Sequence, residues 1–380
     1  MADFKVAVPS VGQAGGKPSA TATGKALSVV ALRKTYGDVV AVDEASMEIA
    51  AGEFVTFLGS SGSGKTTTLM MIAGFCEPDS GTITVGGSDV TRLAPQKRNL
   101  GFVFQQYLLF PHMTVHENVA FPLQLRGVGK SEIRRRVGET LEIAGLSKFA
   151  GRRPRELSGG QQQRVALCRA LVYRPPVILM DEPLGALDKK LRDQLQIEIK
   201  TIQQELGLTV IYVTHDQEEA LVLSDRIAVM RNGLIEQFDT PRELFERPKS
   251  PFVADFLGAA NFLAGRIEQH TDQHTLVRLE ECGGLLTARH HDLATGVAVK
   301  VAVQPGRLSV CAPGEGFCGG TVETATYVGT LVRAGVRVEG GDAPLLRLEV
   351  PAGRGPVTGE RVDVSVDPED VNLFTVEQGG

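Results

Sequence analysis

A glycine-rich segment near the start of the chain limits its fold more than any other feature. Residues 59–66 read Gly-Ser-Ser-Gly-Ser-Gly-Lys-Thr and fit the pattern G-x-x-x-x-G-K-[ST]. In that pattern, small residues let backbone N–H groups surround a phosphate chain at the first turn of a helix. We therefore expect Lys65 to reach the β- and γ-phosphates of a nucleotide and Thr66 to offer its hydroxyl to Mg²⁺. A Gly/Ser-rich linker is the alternative interpretation.

The surrounding residues, 27–260, have the pattern of one α/β domain, in which short apolar runs alternate with helical segments. Strands are predicted at 53–58, 101–104, 177–180, 209–214, 227–230 and 234–237. Asn232-Gly233 separates the last two runs and predicts a hairpin turn. Between about 107 and 165, charged amphipathic segments predict a helical insertion, in which Ser131 is expected to cap a helix.

Two flanking regions differ in composition from this domain. Residues 1–26 are rich in Gly, Ala, Ser, Thr and Pro and are expected to form a flexible tail. In residues 261–380, valines alternate with other residues, as at 297–303 and 361–366, and glycine pairs separate short strands. We expect this last third to be an all-β, OB-like accessory domain.

Charge, cysteine content and hydropathy disfavour several classes of function. The formal net charge is −5 and the sequence pI about 5.9, which indicates no basic surface for nucleic acid. The 5 cysteines are odd in number and lack metal-site spacing, which fits a reducing cytosol. No run reaches the roughly 18–20 apolar residues of a membrane span, so a membrane role is expected to come through partners.

A second feature with a chemical role follows the apolar run at 177–180. Asp181 and Glu182 end this predicted buried strand. Near a phosphate loop, Asp181 would hold the Mg²⁺ shell and Glu182 would polarise the attacking water. Acidic residues also end strands as solvated turn formers, but the phosphate loop favours the hydrolase interpretation.

The string Leu157-Ser158-Gly159-Gly160-Gln161 narrows this large class of nucleotide hydrolases. It resembles, residue for residue, the LSGGQ signature of ABC ATPases. Ser158 and the glycine amides are suited to form a second anion cradle at the start of a helix. A well-capped helix start would explain Ser158 and Gly159 but not the whole string.

Other positions resemble the same family in the family's order. Tyr36 resembles the aromatic residue that stacks on adenine, and Gln105 resembles the glutamine that joins the metal shell. His215 resembles the histidine that contacts the γ-phosphate. Residues 185–188 resemble the loop that couples two ATP sites, although Gly185 stands where Ser is commoner.

The resemblance implies a specific set of site residues for ATP and Mg²⁺. Catalytic roles are expected for Glu182, His215 and Gln105. Metal ligation is expected from Thr66, Gln105 and Asp181. Nucleotide contacts are expected from Tyr36, Gly59, Ser60, Ser61, Gly62, Ser63, Gly64, Lys65, Thr66, Thr67, Ser158, Gly159, Gly160, Gln161 and Asp188.

The resemblance also implies partners and a location. It implies a head-to-tail homodimer with ATP between the phosphate loop of one copy and the signature of the other. Two membrane permease subunits and, through them, a periplasmic or extracellular solute-binding protein are expected at the cytoplasmic face of the inner membrane. Residues 107–112 (Tyr-Leu-Leu-Phe-Pro-His) are expected either to dock on a permease or to pack between the core and the helical insertion.

The C-terminal third indicates the direction of transport. It resembles the accessory domain of ATPases that serve binding-protein-dependent importers. Together with residues 102–119, it is similar to the spermidine/putrescine importer ATPases, so a polyamine importer is expected. Iron, aminophosphonate or another small solute fits the same features.

Three further functions compete with import. A soluble ABC ATPase without a membrane partner usually has two cassettes or a coiled coil, and this chain has one cassette and no sustained heptad pattern. A P-loop kinase would leave the signature string unused. A regulatory role for the C-terminal domain is compatible with transport.

Overall fold

A computed structural model of the chain describes residues 24–185, 187–312, 314–340 and 345–376. Most of the predicted tail, residues 1–23, lies outside these ranges. The strands of the first domain are β1 (Leu27–Tyr36), β2 (Val39–Ile49), β3 (Phe54–Leu58), β4 (Ser80–Val85), β5 (Ser88–Asp89), β6 (Gly101–Val103), β7 (Val177–Asp181), β8 (Thr209–Thr214), β9 (Arg226–Arg231) and β10 (Leu234–Asp239). Its helices are α1 (Lys65–Ala73), α2 (Pro95–Arg98), α3 (Val115–Leu125), α4 (Lys130–Ile143), α5 (Gly159–Leu171), α6 (Lys189–Leu206), α7 (Gln217–Leu223), α8 (Pro241–Glu246) and α9 (Pro251–Gly258).

A six-stranded sheet forms the centre of this domain, in the order β10-β9-β3-β8-β7-β6. β3 pairs in parallel with β8 and β9, and β7 pairs in parallel with β8 and β6. Every residue of β3, β7 and β8 is buried, as expected for strands covered on both faces. The register sets Leu58 beside Thr214 and Asp181 beside Val213, so the segments that follow these three strands meet at one edge.

A second, antiparallel sheet has the order β2-β1-β4-β5 and shares a hydrophobic core with the central sheet and α1. The β1–β2 hairpin brings Tyr36 and Val39 to its tip. The predicted β9–β10 hairpin is confirmed, with Asn232 and Gly233 at φ 51° and 81° as the turn type requires.

The predicted helical insertion contains α3, α4 and α5, which pack around a core of their own. A capping box starts α3, because Thr114 accepts from the backbone N–H of Glu117 and the Glu117 side chain accepts from that of Thr114. The prediction that Ser131 caps the next helix is wrong, since α4 already begins at Lys130. Gly129 takes the extended conformation of the capping position, so Ser131 lies within the first turn.

The C-terminal region is all β, as predicted. Its strands are β11 (Asn261–His270), β12 (His274–Leu279), β13 (Leu285–Arg289), β14 (Ala298–Val303), β15 (Leu308–Cys311), β16 (Cys318–Val328), β17 (Leu331–Val338), β18 (Leu345–Pro351), β19 (Arg361–Val366) and β20 (Asn372–Thr375). They form two five-stranded antiparallel sheets, β13-β12-β11-β14-β20 and β15-β19-β16-β17-β18. The predicted alternation at 297–303 places Val299, Val301 and Val303 in the core that both sheets share.

Candidate functional site

The glycine-rich loop joins β3 to α1 and has a backbone that its glycines make possible. Gly62 and Gly64 have φ values of 80° and 100°, where L side chains are strained. A Cβ on Gly64 would lie 2.5 Å from the carbonyl oxygen of Ala41. Because Gly64 has no side chain to cap α1, the first N–H groups of that helix remain available to an anion.

Lys65 lies inside this loop rather than in solvent. Its Nζ donates to the carbonyl oxygens of Gly59 and Ser60, both at 2.8 Å. Burial lowers the pKa of the Lys65 ammonium, and the carboxylates of Glu182 and Asp181 partly oppose that shift. A phosphate bound in the loop would place negative charge next to this buried ammonium.

Thr66 and Asp181 come together although they are far apart in sequence. Thr66 Oγ1 donates to Asp181 Oδ1 at 3.1 Å, which links the start of α1 to the end of β7. Burial raises the pKa of the Asp181 carboxyl, while the hydrogen bond from Thr66 opposes the shift. A hydroxyl and a carboxylate at this point are the oxygen donors that Mg²⁺ prefers.

Glu182 lies between the two other predicted catalytic residues. Gln105 Nε2 donates to Glu182 Oε2 at 3.2 Å, and His215 Nδ1 lies 3.3 Å from the same oxygen. These three residues follow β6, β7 and β8, so the parallel sheet brings them to one edge. Glu182 has a φ of 42°, and its backbone N–H donates to the carbonyl oxygen of Val213. Strained non-glycine residues of this kind cluster at functional sites.

An open cavity of about 650 Å³ extends over the loop. Its lining includes the predicted residues Tyr36, Ser61, Gly62, Ser63, Gly64, Lys65, Thr66, Thr67, Glu182 and His215. Tyr36 is 54% exposed, and its hydroxyl lies 3.2 Å from Cys76 Sγ, a contact that raises the pKa of the tyrosine. Sequence reasoning missed Val39 and Val40, which line the cavity beside Tyr36 and are 66% and 38% exposed. The sequence pattern that could have identified them is a pair of β-branched residues just after the turn that follows Tyr36.

The signature string lies outside this cavity. Ser158 starts α5 with a capping box: its Oγ accepts from the N–H of Gln161, and the Gln161 side chain accepts from the N–H of Ser158. Ser158 and Gly159 are exposed, whereas Gly160 is buried against Leu191. The described lining of the cavity includes none of residues 158–161. The exposed helix start therefore has the form of a separate anion-binding surface.

Asp188 is likewise outside the cavity, at the start of α6, where its side chain accepts from the N–H of Leu191. Sequence reasoning missed Arg192, one turn further along this helix. Arg192 donates to the carbonyl oxygen of Leu187 at 3.1 Å and to Asp216 Oδ2 at 2.8 Å. It thereby joins the loop at 185–188 to the residue after His215. Nothing in the local sequence marks this contact.

The apolar segment at 107–112 is divided between the two predicted roles. Leu109 packs against the cores of both the central sheet and the helical insertion. Leu108 is 55% exposed and has a φ of 44°. Arg169 fixes the segment by donating to the carbonyl oxygens of Tyr107 and Leu108. Leu108 is therefore the better candidate for a docking contact, and Leu109 has a packing role.

Comparison with known families finds two matching regions. The sequence profile of the family described as ABC transporter matches residues 42–185, and that of the TOBE domain matches residues 301–374. The chain is 50% identical over 301 residues to a spermidine/putrescine import ATP-binding protein of Rubrobacter xylanophilus, covering 78% of this chain and 79% of that protein. It is 46% identical over 310 residues to an Fe(3+) ions import ATP-binding protein of Rhizobium etli, covering 82% and 87%.

Solved structures give the same result for the first domain. One similar structure is a dimeric ATP-binding cassette in a post-hydrolysis state bound to ADP and phosphate. It has a TM-score of 0.51 and 37% identity, and the match covers 57% of this chain and 99% of that chain. A component of an ABC transporter complex from Clostridium perfringens has a TM-score of 0.55 and 30% identity, and the match covers 58% and 90%. No helix in the described ranges is long and apolar enough to cross a membrane.

Proposed function

Because the chain belongs to the ATP-binding proteins of ABC transporters, we propose that it is the ATP-hydrolysing subunit of a binding-protein-dependent importer. The family expected from Leu157–Gln161 and the expected order of an ATPase domain followed by an all-β domain are thereby confirmed. A polyamine is the proposed solute, because similar proteins are named for spermidine/putrescine import. Iron import is the second candidate, supported by the relative from Rhizobium etli.

The arrangement around Glu182 carries the proposal of hydrolysis. Its carboxylate faces the cavity over the phosphate loop and has Gln105 and His215 at the same oxygen. In the proposed reaction Glu182 accepts a proton from the attacking water, and His215 contacts the γ-phosphate. Lys65 and the N–H groups at the start of α1 neutralise charge on the phosphates.

Magnesium is the proposed metal, and the residues present fit it. The Thr66 hydroxyl and the buried Asp181 carboxylate are hard oxygen donors 3.1 Å apart. The Gln105 side chain, whose Nε2 donates to Glu182, also carries an amide oxygen of the type that Mg²⁺ binds. When bound, Mg²⁺ would neutralise charge developing on the phosphate oxygens.

A second copy of the chain is the proposed partner at the ATP site. The signature surface at Ser158 and Gly159 is exposed and does not line the cavity of its own chain. A head-to-tail pair would place that helix start over the phosphates of the other copy. The dimeric cassette bound to ADP and phosphate supports this arrangement by analogy. With Glu182 and His215 in each copy, both sites of the homodimer would be active.

Membrane subunits are the proposed receivers of this cycle. The exposed Leu108 lies three residues after Gln105, so a change around Glu182 has a short path to this surface. Two permeases, served by an external solute-binding protein, would hold the chain at the cytoplasmic face of the inner membrane. ATP would favour the closed dimer by adding interface contacts, and hydrolysis would remove them.

Co-purification of the tagged full chain from solubilised membranes tests this proposal. We expect polytopic permeases to be recovered and identified by mass spectrometry. The recovered complex in proteoliposomes, supplied with its solute-binding protein and labelled spermidine or ferric iron, then separates the two solutes. Recovery of only soluble partners, with ATPase activity intact, would overturn the importer assignment.

A further inference from the structure

A buried acidic side chain, Glu219, lies behind the turn that carries His215. Glu219 is 2% exposed. Its Oε2 accepts from the hydroxyl of Thr214 at 2.7 Å and from that of Tyr212 at 2.8 Å. Burial raises the pKa of the Glu219 carboxyl, and these two hydrogen bonds oppose that shift. A carboxylate with no part in the proposed reaction therefore anchors the residue that precedes His215.

The residue that follows His215 is held as well. Asp216 Oδ1 accepts from two backbone N–H groups in the first turn of α7, at 2.9 and 3.2 Å, and so caps that helix. Asp216 N–H donates to Thr214 Oγ1 at 3.0 Å. The His215 side chain is 62% exposed, and among the described residues its ring nitrogens make one polar contact, with Glu182. The position of this ring therefore depends on the two residues beside it.

Arg192 contacts both of the carboxylates that flank this turn. Its guanidinium donates to Asp216 Oδ2 at 2.8 Å, and its Nε lies 3.6 Å from Glu219 Oε1. It also donates to the carbonyl oxygen of Leu187 at 3.1 Å, which fixes it to the loop before α6. The negative charge of Asp216 raises the pKa of the Glu219 carboxyl, and the positive charge of Arg192 lowers it. Without the guanidinium, two carboxylates would repel each other next to His215.

We propose that Arg192 is a positioning residue for His215, and that it acts by holding the two carboxylates together behind the turn at 214–216. The inference rests on the proposed contact of His215 with the γ-phosphate. The described lining of the cavity over the phosphate loop includes His215 and Glu182 but not Arg192. A displacement of about 1 Å in a catalytic group can lower a rate about a hundredfold, so a contact outside the cavity can still control hydrolysis.

A double-mutant cycle of ATP hydrolysis by the full chain tests the proposal. We expect Arg192→Met to lower kcat at least about tenfold and to leave KM for ATP within about twofold, because the phosphate loop is unchanged. His215→Ala should lower kcat at least about tenfold as well. In the His215→Ala background, Arg192→Met should change kcat by less than about twofold, because no imidazole remains to be positioned. A role of Arg192 confined to folding would lower activity in both backgrounds.

Failure of the proposed function and failure of this inference give different results. If His215→Ala hydrolyses ATP at the parent rate, the proposed role of His215 fails, and the positioning role fails with it. If His215→Ala is impaired but Arg192→Met is not, the positioning role alone is overturned. The same holds if Arg192→Met lowers kcat equally in both backgrounds.

Lys200→Met is the matched control on the same helix. Lys200 also forms an ion pair from α6, with Asp225 at 2.9 Å, and its side chain is 21% exposed compared with 25% for Arg192. Its substitution should leave kcat within about twofold of the parent value. An equal loss in Lys200→Met and Arg192→Met would contradict a specific role for the contact with Asp216.

Asp216→Asn provides a second variant that tests the same contact if Arg192→Met does not fold. Asn caps helices about as well as Asp, but it lacks the negative charge with which Arg192 pairs. We expect kcat to fall at least about threefold, with no further effect in the His215→Ala background. An unchanged kcat in Asp216→Asn, or an equal fall in both backgrounds, would overturn the proposal.

Discussion

Two side chains from different loops approach the same oxygen of Glu182. Gln105 Nε2 lies 3.2 Å and His215 Nδ1 3.3 Å from Oε2. Glu182→Gln keeps the size of the side chain and an oxygen for these contacts but removes its capacity to accept a proton. Since general-base assistance contributes about 10²- to 10⁴-fold, we expect hydrolysis at least roughly tenfold slower with ATP binding retained. Single-turnover hydrolysis and nucleotide binding measure the two effects separately.

Glu218→Gln is the matched control for this substitution. Glu218 lies three residues after His215 and is exposed, and among the described residues its side chain pairs only with Lys189, in a surface ion pair. Its change should leave both hydrolysis and binding near the parent values. Near-normal turnover in Glu182→Gln would remove Glu182 from the proposed role.

The residue types of the site could be predicted from sequence, but their conformation could not. Asp181 and Glu182 follow an apolar run, and that local pattern is sufficient to nominate them. The left-handed backbone of Glu182, with φ at 42°, depends on its contact with Val213 in the neighbouring strand. Such a conformation is stable only when surrounding structure fixes it, and sequence spacing does not reveal that surrounding.

At the scale of elements, the C-terminal end of α1, the helix that follows the phosphate loop, is capped by a guanidinium that is distant in sequence. Arg98 is 5% exposed and donates to the carbonyl oxygens of Met71 and Ile72, near the end of α1, and to those of Thr91 and Leu93. Arg98→Met would remove the guanidinium donor from all four carbonyl groups, of which, among the described residues, Met71 alone keeps a backbone donor, the N–H of Gly74. We expect a loss of at least about 3 kcal/mol in the free energy of unfolding, measured by urea denaturation.

Lys97→Met provides the control within the same short helix. Lys97 is exposed, so its substitution should change the free energy of unfolding by less than about 0.5 kcal/mol. Equal losses in the two variants would contradict a specific role for Arg98. This contact was not predictable, because Arg98, 25 residues after the end of α1, has the same local sequence pattern as any exposed arginine.

The loop at 107–112 yields a prediction about coupling. Leu108 has a φ of 44°, a region where Asp is better tolerated than Leu, so Leu108→Asp should preserve the fold. Its charge would lie in the proposed permease contact. We expect at least about a tenfold fall in co-purified permease, with the ATPase rate of the free chain unchanged.

Val357→Asp controls for the added charge, because Val357 is 66% exposed in the C-terminal region. It should leave permease recovery unchanged. Full recovery of permease and transport with Leu108→Asp would exclude this surface. The same substitution at Leu109 would be ambiguous, since Leu109 packs against two cores and its loss would disturb both.

Elements with strong local patterns were predicted well, and their junctions were not. The strands at 177–180 and 209–214 appear as β7 and β8 because apolar and β-branched runs of this kind suit parallel strands that are buried on both faces. Ser131 failed as a cap because the helix begins at Lys130, two residues earlier than a Ser131 cap requires, after an extended Gly129. Capping preference is a local bias of about 1 kcal/mol, and here Gly129 takes the capping position instead of Ser131.

At the scale of the whole molecule, the cavity and the signature surface belong to different faces of one chain. Substitution of Gly159 tests whether the cavity of one copy meets the signature surface of another copy. A Cβ there would lie 3.5 Å from Leu187, an ordinary contact, and an acidic residue at a helix start is stabilising. Gly159→Asp should therefore fold normally while repelling phosphate. Lys65→Met removes the cation of the other half-site with little change in volume.

Mixing these two inactive variants gives opposite results for the two arrangements. If each ATP site joins the phosphate loop of one copy to the signature of the other, a mixed dimer has one site with both defects and one intact site. Random pairing then restores up to about a quarter of the parent ATPase activity, because half of the dimers are mixed and one of the two sites in each mixed dimer is intact. If the two half-sites act within one chain, every site stays defective and no activity returns. Parent chain mixed with the double variant is the control, since its mixed dimers lack any intact site in the first arrangement. Steady-state phosphate release after subunit exchange measures both mixtures, and absence of recovery in the first would contradict the head-to-tail dimer.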